Sequence, residues 1–173
     1  LGYATWNPTE VVPEYIADVP MKKGEKVDYA ILRDDRPIII IECKHVGVNL
    51  DQVTMAQLQR YFHVTEARVG ILTNGLEWRF FSDLEAKNKM DARAFLEFDI
   101  RQVDEAVAAE LKRFSKDAFD LDSLLAAAEE MKYSRAIRKA LHDDFSDPPD
   151  ELVRHYTKAV YGGSFTQGVR DKS

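Results

Sequence analysis

The first hundred residues alternate or run apolar over short stretches, and the rest of the chain repeats its apolar positions at helical spacing. Residues 11–17, VVPEYIA, read as a short strand weakened by Pro13, and 21–26, MKKGEK, as a turn. Val27–Arg33 is rich in β-formers, DDRP at 34–37 is a turn signal, and Ile38–Lys44 is an apolar β-branched run, so the two segments predict a hairpin. Residues 50–65 place Ala56, Leu58, Tyr61 and Phe62 near helical spacing behind Asp51, a plausible N-cap. RVGILT predicts a strand, Asn74-Gly75 a hairpin turn, LEWRFF the returning strand, and AFLEFDI at 94–100 one more. From residue 101 the spacing predicts helices in VDEAVAAELKRF, LDSLLAAAEEM, SRAIRKALHDDF and, after Pro148-Pro149-Asp150, DELVRHYTKAVY. The Gly-rich end, GGSFTQGVRDKS, reads as a linker or frayed terminus. These elements predict an α/β domain over residues 1–100, with a central mixed sheet flanked by helices, and a helical extension over 101–173.

Composition narrows the class. The length of 173 residues suits one domain with an appendage, and 45% hydrophobic with 31% charged residues is the balance of a globular protein. No apolar run approaches the roughly 20 residues that cross a bilayer. Without a signal-peptide pattern, and with Cys43 as the single cysteine, a reducing cytoplasm is the expected compartment. The net charge of -6 argues against holding nucleic acid by bulk electrostatics, though a local basic groove is compatible with it. No GxxxxGK[S/T] phosphate loop occurs, and no spacing of His45, His63, His142, His155 and Cys43 fits a zinc site.

The candidate chemistry lies at the end of the isoleucine run. Residues two apart on a strand share a face, so Glu42 and Lys44 stand side by side while Cys43 and His45 point the other way. The predicted hairpin brings Asp28 near them, and Asp is depleted within strands. Asp28 and Glu42 are hard oxygen ligands suited to Mg²⁺, with the backbone carbonyl of Cys43 as a further donor, and Lys44 can orient or deprotonate a water or act as a fixed cation. The competing reading of the triplet is an exposed Glu42–Lys44 ion pair contributing no more than about 1 kcal/mol. Gln57 and Tyr61, at i and i+4, share a helix face and can contact a phosphate or brace the lysine; the plainer reading makes Tyr61 a core aromatic beside Phe62 and Gln57 a solvated amide. Trp78, Phe80 and Phe81 read as core and sheet-face packing.

The series Val27-Asp28, Glu42-Cys43-Lys44, Gln57-x-x-x-Tyr61 and ILTNGLEWRFF resembles the PD-(D/E)xK nucleases, and more narrowly the N-terminal nuclease domain of type I restriction enzyme R subunits and their stand-alone relatives. The resemblance spans about residues 1–100. It implies a restriction-endonuclease-like core, Mg²⁺-dependent DNA cleavage with Mn²⁺ able to substitute, and catalytic roles for Asp28, Glu42 and Lys44. Asp28, Glu42 and the Cys43 carbonyl are then the metal ligands, Gln57 and Tyr61 support the site or DNA, and restriction-modification subunits or a translocase join DNA as partners. Val27 stands where the family name has proline. A first core helix is expected upstream of Leu1, and the chain continues into helices, through which it can form oligomers, where R subunits continue into a helicase motor. The alternative function is a catalytically silent nucleic-acid- or protein-binding module on the same fold.

Overall fold

In the computed structural model, residues 1–16, 26–160 and 168 are described, apart from the side chains of Gln52 and Val53; the expected turn at 21–26, except Lys26, which opens a strand, and most of the Gly-rich end lie outside them. Among the described residues six strands form one sheet in the order β1 (Val11–Ile16), β2 (Lys26–Arg33), β3 (Arg36–Cys43), β4 (Val69–Thr73), β5 (Glu77–Ser82), β6 (Leu96–Asp99). Helix α1 (Gln52–Val64) links β3 to β4, the one parallel pair, and every other pair is antiparallel. The sheet is therefore mixed, as expected, and the helices follow it as α2 (Glu105–Lys112), α3 (Leu121–Ser146) and α4 (Asp150–Val160).

The isoleucine run is explained by cover on both faces of β3. Ile40 joins Ala30, Leu72, Phe81 and the α1 residues Leu58, Tyr61 and Phe62 in one core, whereas Ile39 joins Ile31, Ile71, Phe80, Phe114 and Leu124 in the other. A strand buried on both sides carries an unbroken apolar sequence instead of alternation. Gly70 lets α1 come close, since a Cβ there would stand 3.3 Å from Leu58, Phe62 and Met90. At the β2–β3 turn Asp34 and Asp35 both take positive φ, 51° and 61°, the conformation of the tight hairpin turns that match strand twist. Glu14 (φ 48°) and Pro13 interrupt edge strand β1, which suits an edge that must not recruit another strand.

By contacts the chain forms two compact units, Leu1–Met131 and Lys132–Ser173. The first includes α2 and the start of α3: Phe114 lies 4.8 Å from Phe80 between ring centroids, and Arg33 donates to the Phe119 carbonyl at 3.0 Å. Two helices expected at 121–131 and 134–145 are one continuous α3, because residues 131–134, Met-Lys-Tyr-Ser, contain neither glycine nor proline to stop it. From Arg135 to Ser146 every residue of α3 is exposed. No helix among the described residues is long and apolar enough to cross a membrane.

Asp99 ends β6 and caps the following turn, accepting from the Arg101 backbone N–H at 2.9 Å while its carboxylate pairs with the Arg101 guanidinium. These contacts hold its pKa down at about 2. A lowered folded pKa contributes stability that is present above the unfolded value near 3.8 and lost as pH falls through about 2. Asp99→Asn is therefore expected to flatten the acid limb of the thermal-stability profile in that window, as scanning calorimetry between pH 2 and 5 can read.

Candidate functional site

The β2–β3 register pairs Tyr29 with Ile41, which leaves Asp28 and Glu42 as the next residues of the two strands at the open end of the hairpin. Asp28 accepts the Cys43 backbone N–H at 2.6 Å, which fixes its carboxylate against the last residue of β3. Lys44 lies one residue past the strand, yet its N–H donates to the Thr73 carbonyl at 2.7 Å and so extends the parallel ladder by one bond. The lysine backbone is thereby held by the sheet.

Burial separates the two readings of the triplet. The Glu42 side chain is only 3% exposed and that of Lys44 22%, with Lys44 Nζ 2.6 Å from Glu42 Oε1. This is a largely desolvated pair and not the exposed one of the bland expectation. Taking such charges out of water costs several kcal/mol each unless further hydrogen bonds compensate. Gln57 supplies one, its Oε1 accepting from Lys44 Nζ at 3.0 Å. Gln57 Nε2 in turn donates to the Tyr61 hydroxyl at 3.3 Å, and that hydroxyl donates to the Lys26 carbonyl at 2.5 Å. A continuous chain of polar contacts thus runs from Glu42 through Lys44, Gln57 and Tyr61 to the first residue of β2. Tyr61 is fully buried in the core, as its plainer reading has it, and its hydroxyl is also a hydrogen-bonding member of this chain of contacts.

Helix α1 aims Gln57 correctly because its start is fixed. Asp51 accepts from the Thr54 N–H at 3.2 Å, the N-cap read from the sequence. Partial desolvation, and then the negative charges of Asp28 and Glu42, push the Cys43 thiol up in pKa, with Lys44 opposing, although the residue as a whole is exposed at the strand end. His45 is exposed beyond β3, its carbonyl accepting from the Val48 N–H at 3.1 Å in a turn. Phe80 and Phe81 are buried and Trp78 packs on the sheet, stacked 6.4 Å from Phe98.

The sequence predicts a hairpin turn at Asn74-Gly75 and lends ILTNGLEWRFF to the family resemblance, without assigning the Asn74 side chain a part. Gly75, at φ 87°, makes the turn, while the Asn74 side chain both accepts from the Leu76 and Glu77 N–H groups, at 3.1 and 2.8 Å, and donates to the Val48 carbonyl at 2.9 Å. Arg79 donates to the Leu50 carbonyl. These residues reach the segment that joins Lys44 to α1. The signal for them was the turn motif itself, whose asparagine has a side chain able to bond in two directions.

Among the described residues no group of three or more His, Cys, Asp or Glu is placed to hold a metal ion. The donors at the strand end are instead the two carboxylates of Asp28 and Glu42. That hard, oxygen-only set fits Mg²⁺, which needs one or two protein carboxylates and completes its shell with water and substrate oxygens.

No curated protein and no solved structure matches the chain. Residues 6–94, which contain Asp28, Glu42, Lys44, Gln57, Tyr61 and the Asn74 turn, match the family described as Type I restriction enzyme R protein N terminus (HSDR_N). The match covers more than half of the chain, which therefore belongs to the family of type I restriction enzyme R protein N-termini.

Proposed function

We propose that this chain is a Mg²⁺-dependent DNA endonuclease domain of PD-(D/E)xK type, acting within a restriction system in the cytoplasm. One observation carries the reading: two carboxylates and a braced lysine share one strand end, in a chain of an R-subunit family. Asp28 and Glu42, with the Cys43 carbonyl, are the residues that hold the ion. Bound there, Mg²⁺ or Mn²⁺ supplies a more acidic water and neutralises charge on the phosphate oxygens.

The remaining work belongs to the protein. Lys44, held at 2.6 Å from Glu42 and 3.0 Å from Gln57, presents a fixed ammonium that orients the attacking water and offsets charge growing at phosphorus. Because Glu42 is buried, that interaction acts in a medium poorer in water and is stronger than at an exposed site. Gln57 and Tyr61 stop the ammonium from swinging into solvent. DNA is the substrate. The exposed second half of α3 supports contact with further restriction-modification subunits, a translocase or a second copy.

The trial is nicking of supercoiled plasmid by the chain together with its companion subunits, in Mg²⁺ and in EDTA. Mg²⁺-dependent nicking is expected, with Lys44→Ala slower by about 10²–10³-fold, the usual worth of a preorganised group that stabilises developing charge. Lys44→Arg keeps the charge beside buried Glu42 but changes its geometry, and is expected to fold normally and cut poorly. Equal cutting by wild type and both variants, or none, sinks the nuclease reading, and DNA binding indifferent to Mg²⁺ with no cutting supports the silent binding module instead.

A further inference from the structure

The segment from His45 to Asp51 is short, exposed over most of its length and joins two members of the site: Lys44 before it and, on α1 after it, Gln57. The 3.0 Å contact between Lys44 and Gln57 therefore depends on this connection keeping its shape. Its residues have little packing of their own. Val46 is 69% exposed and Gly47 sits at φ 88° with open space around it. Leu50, by contrast, is buried in the α1-side core.

Two side chains from the neighbouring β4–β5 hairpin take hold of this connection by its carbonyls. Asn74 Nδ2 donates to Val48 at 2.9 Å, and Arg79 donates to Leu50. Asn74 is itself only 4% exposed and is fixed from the other side by the Leu76 and Glu77 N–H groups, so it cannot follow the loop if the loop moves. The same hairpin also holds Lys44 directly, through the Thr73 carbonyl. One rigid turn thus grips the lysine's backbone, the middle of the connection and its entry into α1.

We infer that Asn74 and Arg79 are positioning residues: they clamp the 45–50 connection and thereby set the distance between Lys44 and Gln57. The functional consequence rests on the nuclease reading above; the clamp does not. Misplacement of a reacting group by about 1 Å can cost about 100-fold in rate, so loss of a clamp remote from the phosphate is expected to appear in kcat.

Asn74→Asp removes the bond to Val48 and adds a charge at the same buried position, so it loosens this clamp in two ways. An aspartate still accepts from Leu76 and Glu77 and preserves the turn, but has no N–H to give Val48. Hydrogen exchange read by mass spectrometry is expected to show faster exchange over 45–50 by about 10- to 100-fold, as for the loss of a buried hydrogen bond, with 69–73 and 77–82 unchanged. In the plasmid assay kcat is expected to fall by about 10- to 100-fold, with KM for DNA within about twofold. Combined with Gln57→Ala, the double variant is expected to cut no more slowly than the worse single one, because both act through one contact. Arg79→Gln, read in the same way, provides the second clamp if Asn74→Asp does not fold. Unchanged exchange over 45–50 overturns the clamp. Normal kcat, or effects of Asn74→Asp and Gln57→Ala that multiply, overturns its action on Lys44. Wild-type protein that never cuts defeats the nuclease reading instead, and the exchange rates then decide the clamp alone.

Discussion

Asp28→Asn is expected to lower Mg²⁺-dependent nicking by at least about 100-fold while leaving the melting temperature nearly unchanged, as plasmid assays and calorimetry on the same preparation can establish. The size follows from the ligand role proposed for it: loss of a residue that merely orients a metal ligand costs about 10–100-fold, and loss of a ligand itself costs more. The stability follows from its geometry. An asparagine oxygen can accept the Cys43 N–H that Asp28 now accepts at 2.6 Å, so the strand end keeps its bond and loses only the charge. Changes at Glu42 or Lys44 are less clean. Breaking a buried ion pair by removing one partner is worth about 3–5 kcal/mol, a sizeable part of the about 5–15 kcal/mol that holds a domain folded. A dead Asp28→Asn protein with a normal melting curve therefore speaks to chemistry, and a Lys44→Ala protein must be shown to be folded first.

The second large effect concerns the end of the sheet unit. A chain cut after residue 100 is expected not to fold cooperatively, and one cut after Met131 to fold. Removing 101–131 strips Phe114, Phe119, Leu124 and Ala128 from the core they share with Ile39, Ile71 and Phe80. Each large side chain so exposed costs about 1.5–3 kcal/mol, and three of them with the uncovered strands approach the whole stability of a domain. The same cut removes anchors of the N-terminal segment: Lys116 pairs with Glu10 at 2.7 Å and its N–H donates to the Leu1 carbonyl at 2.9 Å. Circular dichroism melts of the two fragments decide it. A cooperative melt of the 1–100 fragment shows that the sheet and α1 suffice.

Much of this was legible in the sequence because strands and helices have fixed periods. Period two was enough to set Glu42 and Lys44 on one face, and the hairpin between 27–33 and 38–44 was enough to bring Asp28 to them. The i, i+4 spacing put Gln57 and Tyr61 on one face of α1. What the periods do not carry is contact between elements. Nothing local says that Gln57 Oε1 meets Lys44, that the Tyr61 hydroxyl reaches the Lys26 carbonyl, or that Asn74 bonds Val48 26 residues away. The burial of Glu42 was equally hidden, since an E-x-K triplet at a strand end is as compatible with an exposed pair as with the buried one found. Continuity of α3 through residues 131–134 was readable in principle, because the break between two apolar groups contained no residue that stops a helix.

The central claim is that Asp28 and Glu42 together form a divalent-cation site, and a titration with Mn²⁺ followed by electron paramagnetic resonance tests it without needing DNA or partner subunits. The account predicts one saturable site in the wild-type chain, displaced by Mg²⁺ and weakened at least about tenfold in both Asp28→Asn and Glu42→Gln. Binding that is absent in the wild type, or unchanged when either carboxylate is removed, contradicts it.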